Sequence, residues 1–174
     1  VGRADGPDVR DGWWISIEPS VRLSPHSIVG PDLAGWCKSR LPELPDDWPL
    51  DVRPDWVCEV LSRGTARYDR STKAGLYAQA GIPWYWLVDP TERLLDVLEL
   101  DGDKWRIFGC FGDDQRLVLP PFGEFEFEVG ALFPPQRAGA AAAQTLLARL
   151  SVEQSPRART AAFRLARTAL ASLA

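Results

Sequence analysis

The sequence lacks any run of about 18 apolar residues, so no segment is long enough to cross a membrane as a helix. Histidine is almost absent, and the single His26 gives little support for a Ser/His/Asp triad or a histidine-rich metal site. The three cysteines, Cys37, Cys58 and Cys110, are odd in number and form no CxxC pair, which argues against structural zinc and against a disulfide framework. Because the N-terminus is also polar, without the apolar segment of a signal peptide, we predict a cytoplasmic protein.

Composition is that of an ordinary soluble globular domain, with 45% hydrophobic and 25% charged residues in a chain of 174. The net charge of −4 is unevenly distributed: residues 137–174 contain six arginines and one acid, so residues 1–136 have a net charge of −9. An acidic body disfavours non-specific attraction to phosphate backbones, but it does not exclude a local site in which metal ions offset the acids.

Residues 137–174 are predicted to form a separate helical extension, because the segment from residue 138 is rich in alanine and leucine and Ser155-Pro156 resembles a helix start. We interpret the second helix as amphipathic, packing on the body or on a second copy of the chain, so a homodimer is one expectation. A nucleic-acid arm or a membrane-surface helix remains an alternative.

The pattern of residues 1–136 predicts one mixed α/β (α+β) domain. Extended segments are predicted at residues 13–17, 21–23, 27–35, 56–61, 84–88, 94–100, 104–111, 116–119 and 124–129, with one helix at residues 66–80. The apolar runs 56–61 and 84–88 flank the helix, which indicates parallel neighbours joined by a crossover. The later strands, with a turn at Asp101-Gly102-Asp103, indicate an antiparallel extension of the same sheet.

The first candidate for chemistry is Glu59, a carboxylate inside an apolar strand. Burying a charge is costly unless a cation or hydrogen bonds compensate it. On the following helix, Asp69, Lys73 and Tyr77 recur at every fourth residue and form one stripe. If this stripe faces the second half of the strand, Lys73 can approach Glu59. Two carboxylates and a lysine near one point suit metal-dependent phosphodiester hydrolysis.

Simpler interpretations stay open for each of these residues taken alone. Asp32, in Pro-Asp-Leu, fits a turn or cap residue, and Glu59 fits a buried carboxylate bonded to backbone amides. Asp69 and Lys73 fit an ordinary ion pair one helical turn apart, worth a few tenths of a kcal/mol.

Several spaced motifs, in order, resemble the Uma2 family of endonucleases within the PD-(D/E)XK, restriction-endonuclease-like superfamily. They are Pro31-Asp32-Leu33, the run RPDWVCEVLS at residues 53–62, then Thr65, Asp69, Lys73, Tyr77, the run AGIP at residues 80–83 and the run YWLVDP at residues 85–90. The resemblance covers about residues 13–133 and implies a restriction-endonuclease-like core with a central mixed sheet and DNA as the substrate.

The resemblance also implies roles for individual residues. Asp32 and Glu59 would be the two acids that bind Mg²⁺ or Mn²⁺. In the wider superfamily the catalytic lysine lies two residues after the second acid, where this chain has Leu61, so the implied lysine is Lys73 on the next helix, acting as a base or as a charge stabiliser. Asp69 would support Lys73.

The resemblance implies two further supporting residues, and the sequence differs from the superfamily pattern at one point. Asp55 would add a metal ligand or a contact behind the ligands, and Tyr77 belongs to the supporting set through its place in the stripe. The superfamily core begins with a helix that contributes an acid, whereas we find no helix before residue 13 and expect a shortened core. An alternative function follows: a non-catalytic relative that binds a partner, or itself, through the C-terminal helices.

Overall fold

A computed structural model describes residues 12–123 and 125–133, which form a mixed α+β fold around a six-stranded sheet. The strands are β1 Trp13–Ile17, β2 Val21–Ser24, β3 Ser27–Val29, β4 Leu33–Cys37, β5 Trp56–Val60, β6 Trp84–Asp89, β7 Leu94–Asp101, β8 Lys104–Gly112, β9 Arg116–Val118 and β10 Glu126–Glu128. The main sheet has the order β1-β4-β5-β6-β7-β8, while β2–β3 and β9–β10 form separate two-stranded hairpins.

The predicted centre of the sheet is confirmed: β5 and β6 are parallel neighbours, and every other pair in the main sheet is antiparallel. Both central strands are apolar because the sheet is covered on its two faces. Since β5 and β6 run in the same direction, they end at the same edge of the sheet, which we call the site edge.

The crossover between β5 and β6 is helical, but it is not one regular helix as predicted for residues 66–80. It consists of α1 Ala66–Tyr68, a π-helical turn Asp69–Lys73 and α2 Ala74–Gln79. It ends where Gly81 takes a φ of 71°, a conformation that glycine adopts without a steric penalty. We call the three segments together the crossover helix.

The two faces of the sheet bury two different apolar clusters. The helix-facing cluster includes Val57, Tyr77 and Tyr85, all fully buried. The opposite cluster is aromatic, with the rings of Trp56 and Phe122 4.9 Å apart in an edge-to-face contact. Alternation along β5 therefore directs Val57 and Glu59 towards the crossover helix, as the pattern predicted.

Three other segments differ from their predictions or lie outside the described residues. Residues 27–35 are not one extended piece, because β3 and β4 are separated by the turn that holds Asp32. The last strand, β10, is shorter than predicted and continues into a 3₁₀ turn at Val129–Leu132. The predicted C-terminal helices lie outside the residues that the structure describes, and none of the helices within those residues is long and apolar enough to cross a membrane.

Candidate active site

The strand register brings the two candidate acids together at the site edge. Leu33 of β4 is opposite Cys58 of β5, so Asp32, just before β4, lies opposite Glu59. The backbone N–H of Val60 donates to Asp32 Oδ2 at 2.6 Å, and the backbone N–H of Asp32 lies 3.4 Å from Glu59 Oε2. Asp32 is thus fixed by the end of β5 itself, and its neighbour in space is the second acid.

Lys73 reaches this pair of acids from the crossover helix. Its Nζ donates to Glu59 Oε2 at 2.8 Å and to the carbonyl oxygen of Gly30 at 3.2 Å, and it lies 3.4 Å from Asp69 Oδ1. Three acceptors around one amine match the three N–H donors of a protonated lysine. The structure therefore places an ammonium group between the helix, the strand and the turn before β4.

Glu59 is 1% exposed, and both of its carboxylate oxygens are hydrogen-bonded. Tyr77 Oη donates to Oε1 at 2.6 Å, opposite the bond that Lys73 makes to Oε2. Behind the helix, Tyr85 Oη donates to the backbone carbonyl of Asp69 at 3.0 Å and so ties the π-helical turn to β6. Two side chains of the crossover helix, together with the longer contact from the backbone N–H of Asp32, thus compensate the buried carboxylate.

Burial dominates the electrostatics of the site. It raises the pKa of Glu59 from 4.5 to about 7, against the lowering effect of the hydrogen bonds from Lys73 and Tyr77, and the charge of Asp32 adds to the rise. Burial also raises the pKa of Asp32. Desolvation by itself lowers the pKa of Lys73, but the bond to Glu59 and the nearby carboxylates outweigh it and raise that pKa. Because burial makes the ionised forms of both acids costly, a cation bound beside them would be stabilised.

Asp55 does not join this cluster, although it is on the same face of β5 as Glu59. Four residues along a strand span roughly 13 Å. One oxygen of Asp55 accepts the backbone N–H of Cys37 at 2.8 Å, and the other binds Arg40 Nε at 2.7 Å. The structure therefore gives Asp55 a role in fixing the start of β5 and the loop before it, and the predicted contact with the metal ligands is not made.

The donor set fits a hard divalent cation. Asp32 and Glu59 offer carboxylate oxygens, and Mg²⁺ typically binds one or two protein carboxylates while keeping several waters for exchange with substrate phosphates. Within the described residues, no group of three or more His, Cys, Asp or Glu side chains is arranged to hold a metal ion. Leu61, at the place of the superfamily lysine, is only 5% exposed and packs in the helix-facing cluster.

Three contributors to the site were not predicted from the sequence. They are the carbonyl of Gly30, the backbone N–H of Val60 and the hydroxyl of Tyr85. Tyr85 had a usable signal, since alternation along residues 84–88 places it on the face of the crossover helix. The two backbone groups had none, because any residue supplies them.

Comparison with known proteins agrees with this fold. The structure is similar to the crystal structure of "a putative nuclease belonging to DUF820" from Anabaena variabilis ATCC 29413, with a TM-score of 0.53, 19% sequence identity, and coverage of 70% of this chain and 68% of that one. The described residues thus have a nuclease-like fold. No curated protein matches the chain.

The sequence model of the Uma2 family, described as "putative restriction endonuclease", matches residues 6–131. This range is most of the chain, and the chain belongs to the Uma2 family.

Proposed function

We propose that the chain is a metal-dependent DNA endonuclease that hydrolyses phosphodiester bonds at the site formed by Asp32, Glu59 and Lys73. The observation that supports this proposal best is the 2.8 Å contact between Lys73 and the 1% exposed Glu59, beside a second acid. Family membership favours DNA as the substrate. A purely structural lysine–glutamate pair would not need the second acid opposite it.

Asp32 and Glu59 would hold Mg²⁺ or Mn²⁺, which when bound would polarise a phosphoryl oxygen and acidify a water. Lys73, held as an ammonium by its three acceptors, stabilises through its charge the negative charge that develops on the phosphate, and it orients the water once that water replaces the Gly30 carbonyl as an acceptor. This geometry favours the charge-stabilising role over the role of a base, because a base needs a free lone pair. Asp69 keeps Lys73 on the site side, and Tyr77 fixes the orientation of the Glu59 carboxylate.

The test is cleavage of supercoiled plasmid and of single-stranded DNA with Mg²⁺ or Mn²⁺, compared with the same reactions in a chelator. Removing one preorganised charged donor typically lowers the rate by roughly 10²–10³-fold, so Lys73→Ala and Lys73→Gln should fall by that amount. Asp32→Asn and Glu59→Gln should lose metal-stimulated cleavage. Asp101→Asn, an exposed acid at the opposite edge of the sheet, is the matched control and should cleave like the wild type. Equal activity of the wild type and Lys73→Ala would refute the proposal.

Two coarser expectations accompany the proposed activity and also stay predictions. A cytoplasmic location is compatible with the three cysteines of the described residues, all of which are free thiols. Self-association through the C-terminal helices concerns residues outside the described ranges, and light scattering of the full chain and of a chain ending after residue 135 tests it.

A further inference from the structure

An exposed segment beside the site has chemistry that the proposed hydrolysis does not use. We call Arg63, Arg67 and Tyr68 the arginine–tyrosine segment. All three are exposed, and Tyr68 is 50% exposed. Most arginines in the described residues are bound to a carboxylate, as Arg70 is to Asp96 at 2.9 Å. By contrast, neither Arg63 nor Arg67 makes an ion pair or a side-chain hydrogen bond within those residues.

The two arginines are one helical turn apart at the site edge. The backbone N–H of Ala66 donates to the carbonyl of Ser62 at 2.9 Å, so the helical hydrogen-bond pattern begins directly after β5. Residues four apart in such a turn have Cβ atoms about 5–6 Å apart. Arg63 is four residues beyond Glu59 in the chain and Arg67 is in α1, so both arginines lie in the segment that directly follows β5.

Tyr68 lies at the end of α1, directly before Asp69. Asp69 is 2% exposed and its Oδ1 lies 3.4 Å from Lys73 Nζ, whereas Tyr68 is 50% exposed. The exposed ring is thus one residue away from a buried side chain of the site.

We propose that Arg63 and Arg67 bind the phosphates next to the bond that is cleaved, and that Tyr68 stacks on an unpaired base beside it. The inference rests on the proposed function and names its substrate class: DNA that is single-stranded, or locally unpaired, at the cleavage point. Free guanidinium groups suit phosphate oxygens, and in an otherwise acidic body they supply a local positive surface. An exposed ring gains stacking energy only from a base that has left the duplex stack.

The test measures DNA binding without cleavage, by fluorescence anisotropy of the full chain in a chelator. The probes are a labelled single-stranded 20-mer, the matching duplex and the matching RNA, each at several salt concentrations. We expect the single strand to bind more tightly than the duplex. The double variant Arg63→Gln/Arg67→Gln should reduce the salt slope by about 1.4, which is about 0.7 for each lost phosphate contact. Tyr68→Ala should weaken single-strand binding by roughly 10-fold or more, and Tyr68→Phe should preserve it.

Two matched controls separate the segment from general surface effects. Lys104→Gln removes an exposed cation at the opposite edge of the sheet, and Phe108→Ala removes an aromatic side chain of similar exposure, 48%, three strands away from β5. Both controls should bind DNA like the wild type. Duplex binding as tight as single-strand binding, an unchanged salt slope in the double variant, or an equal effect of Phe108→Ala and Tyr68→Ala would overturn the inference.

The same experiment distinguishes this inference from the proposed hydrolysis. If the wild type cleaves DNA through Lys73 but the arginine–tyrosine variants bind normally, the binding inference alone is wrong. If the binding predictions hold while Lys73→Ala cleaves as fast as the wild type, the catalytic proposal fails and the binding surface stands. Tighter binding of RNA than of DNA overturns the choice of DNA. No binding of any probe by the wild type overturns the binding inference, whereas the cleavage assay with metal decides the proposed hydrolysis.

Discussion

Replacing Glu59 with glutamine removes the most costly buried charge in the described residues and should make the protein more stable at neutral pH. The carboxyl is 1% exposed, and burial raises its pKa from 4.5 to about 7. In the folded state Glu59 therefore binds a proton more tightly than in the unfolded state, so stability falls as the pH rises from about 4.5 to about 7. Above that window the whole cost is present.

The magnitude follows from the size of the pKa shift. Each pH unit corresponds to 1.36 kcal/mol, so ionising Glu59 at pH 8 costs about 3 kcal/mol of the free energy of unfolding. Glutamine has nearly the same shape and no charge. Its amide oxygen can accept from Lys73, and its NH₂ can donate to the hydroxyl oxygen of Tyr77. At pH 8 the Glu59→Gln variant should thus exceed the wild type by up to about 3 kcal/mol, whereas at pH 4.5 the two should be nearly equal.

The assay is urea unfolding followed by tryptophan fluorescence, at several pH values between 4.5 and 8.5. The quantity of interest is the difference between variant and wild type, because the other titrating groups, Asp32 among them, contribute to both. Asp101→Asn is the control for removing an exposed carboxylate, and its difference from the wild type should stay flat. A difference for Glu59→Gln that does not change with pH, or a variant less stable than the wild type at pH 8, would refute the reasoning.

Adding Mg²⁺ or Mn²⁺ to the same titration links stability to the proposed metal site. A ligand that binds only the folded state adds about 2.7 kcal/mol at 100 times its Kd. The wild type should gain stability with metal at pH 8, and Glu59→Gln should gain much less because it lacks one of the two carboxylates. Equal stabilisation of both proteins would place the metal away from Glu59.

Three further changes test other parts of the account. Asp55→Ala should lower the free energy of unfolding by roughly 3–5 kcal/mol, because it leaves a partly buried arginine and a buried amide without their acceptor. The variant should keep the metal-induced stabilisation, and loss of that stabilisation would contradict a purely structural role. Tyr77→Phe removes the donor to Glu59 Oε1 and should cost roughly 1.5–3 kcal/mol at pH 8 and less at pH 5, as urea unfolding at the two pH values would show. Gly130→Ala should destabilise the protein by roughly 1–3 kcal/mol, since its Cβ would lie 2.5 Å from the carbonyl oxygen of Asp113, and an unchanged unfolding midpoint would show that the turn adapts.

Much of the fold and the central contact of the site could be predicted from the sequence. They depend on the alternation of residues along a strand and on the four-residue spacing along a helix. Two apolar runs separated by one helix specify a parallel pair, and β5–β6 is that pair. Alternation along β5 places Glu59 on the helix side, and a spacing of four residues places Asp69, Lys73 and Tyr77 in one stripe of the crossover helix, from which Lys73 and Tyr77 contact Glu59. The stripe and the alternation need only local geometry, which the sequence determines strongly.

The sequence did not predict which residues of a strand lie at its start and which lie at its end. Asp55 and Glu59 share a face, so alternation cannot distinguish them. Their roles differ because one lies where β5 begins and the other where it ends, and because Arg40 folds back onto Asp55 from a proline-rich loop. The path of that loop, like the turn that presents the Gly30 carbonyl to Lys73, depends on tertiary packing and has no short-range signal.

The π-helical turn Asp69–Lys73 explains how residues of one stripe meet at a single carboxylate. In a regular α-helix each step of four residues rotates by about 40°, so Tyr77 would point about 80° away from Asp69. A π-helical turn contains more residues per turn and rotates the later residues back. Lys73 and Tyr77 consequently reach the two oxygens of Glu59 at 2.8 and 2.6 Å. Hydrophobic periodicity predicts the helix but not this irregularity, which is set by the contacts that the helix makes.

The energetics of Glu59 argue that this cluster is not there for stability. Replacing a buried ion pair by apolar side chains of similar volume is often neutral or stabilising by 1–4 kcal/mol. The surroundings of Glu59 are suited to such a replacement, since Val57, Leu61 and Tyr85 are all buried on the same face. The fold instead places a charge there whose ionisation costs about 3 kcal/mol, sets a second acid opposite it, and uses a lysine, a tyrosine and a helix irregularity to hold it in one orientation. Packing alone gives no reason for that combination, which supports the proposal that this site binds a cation and a phosphate.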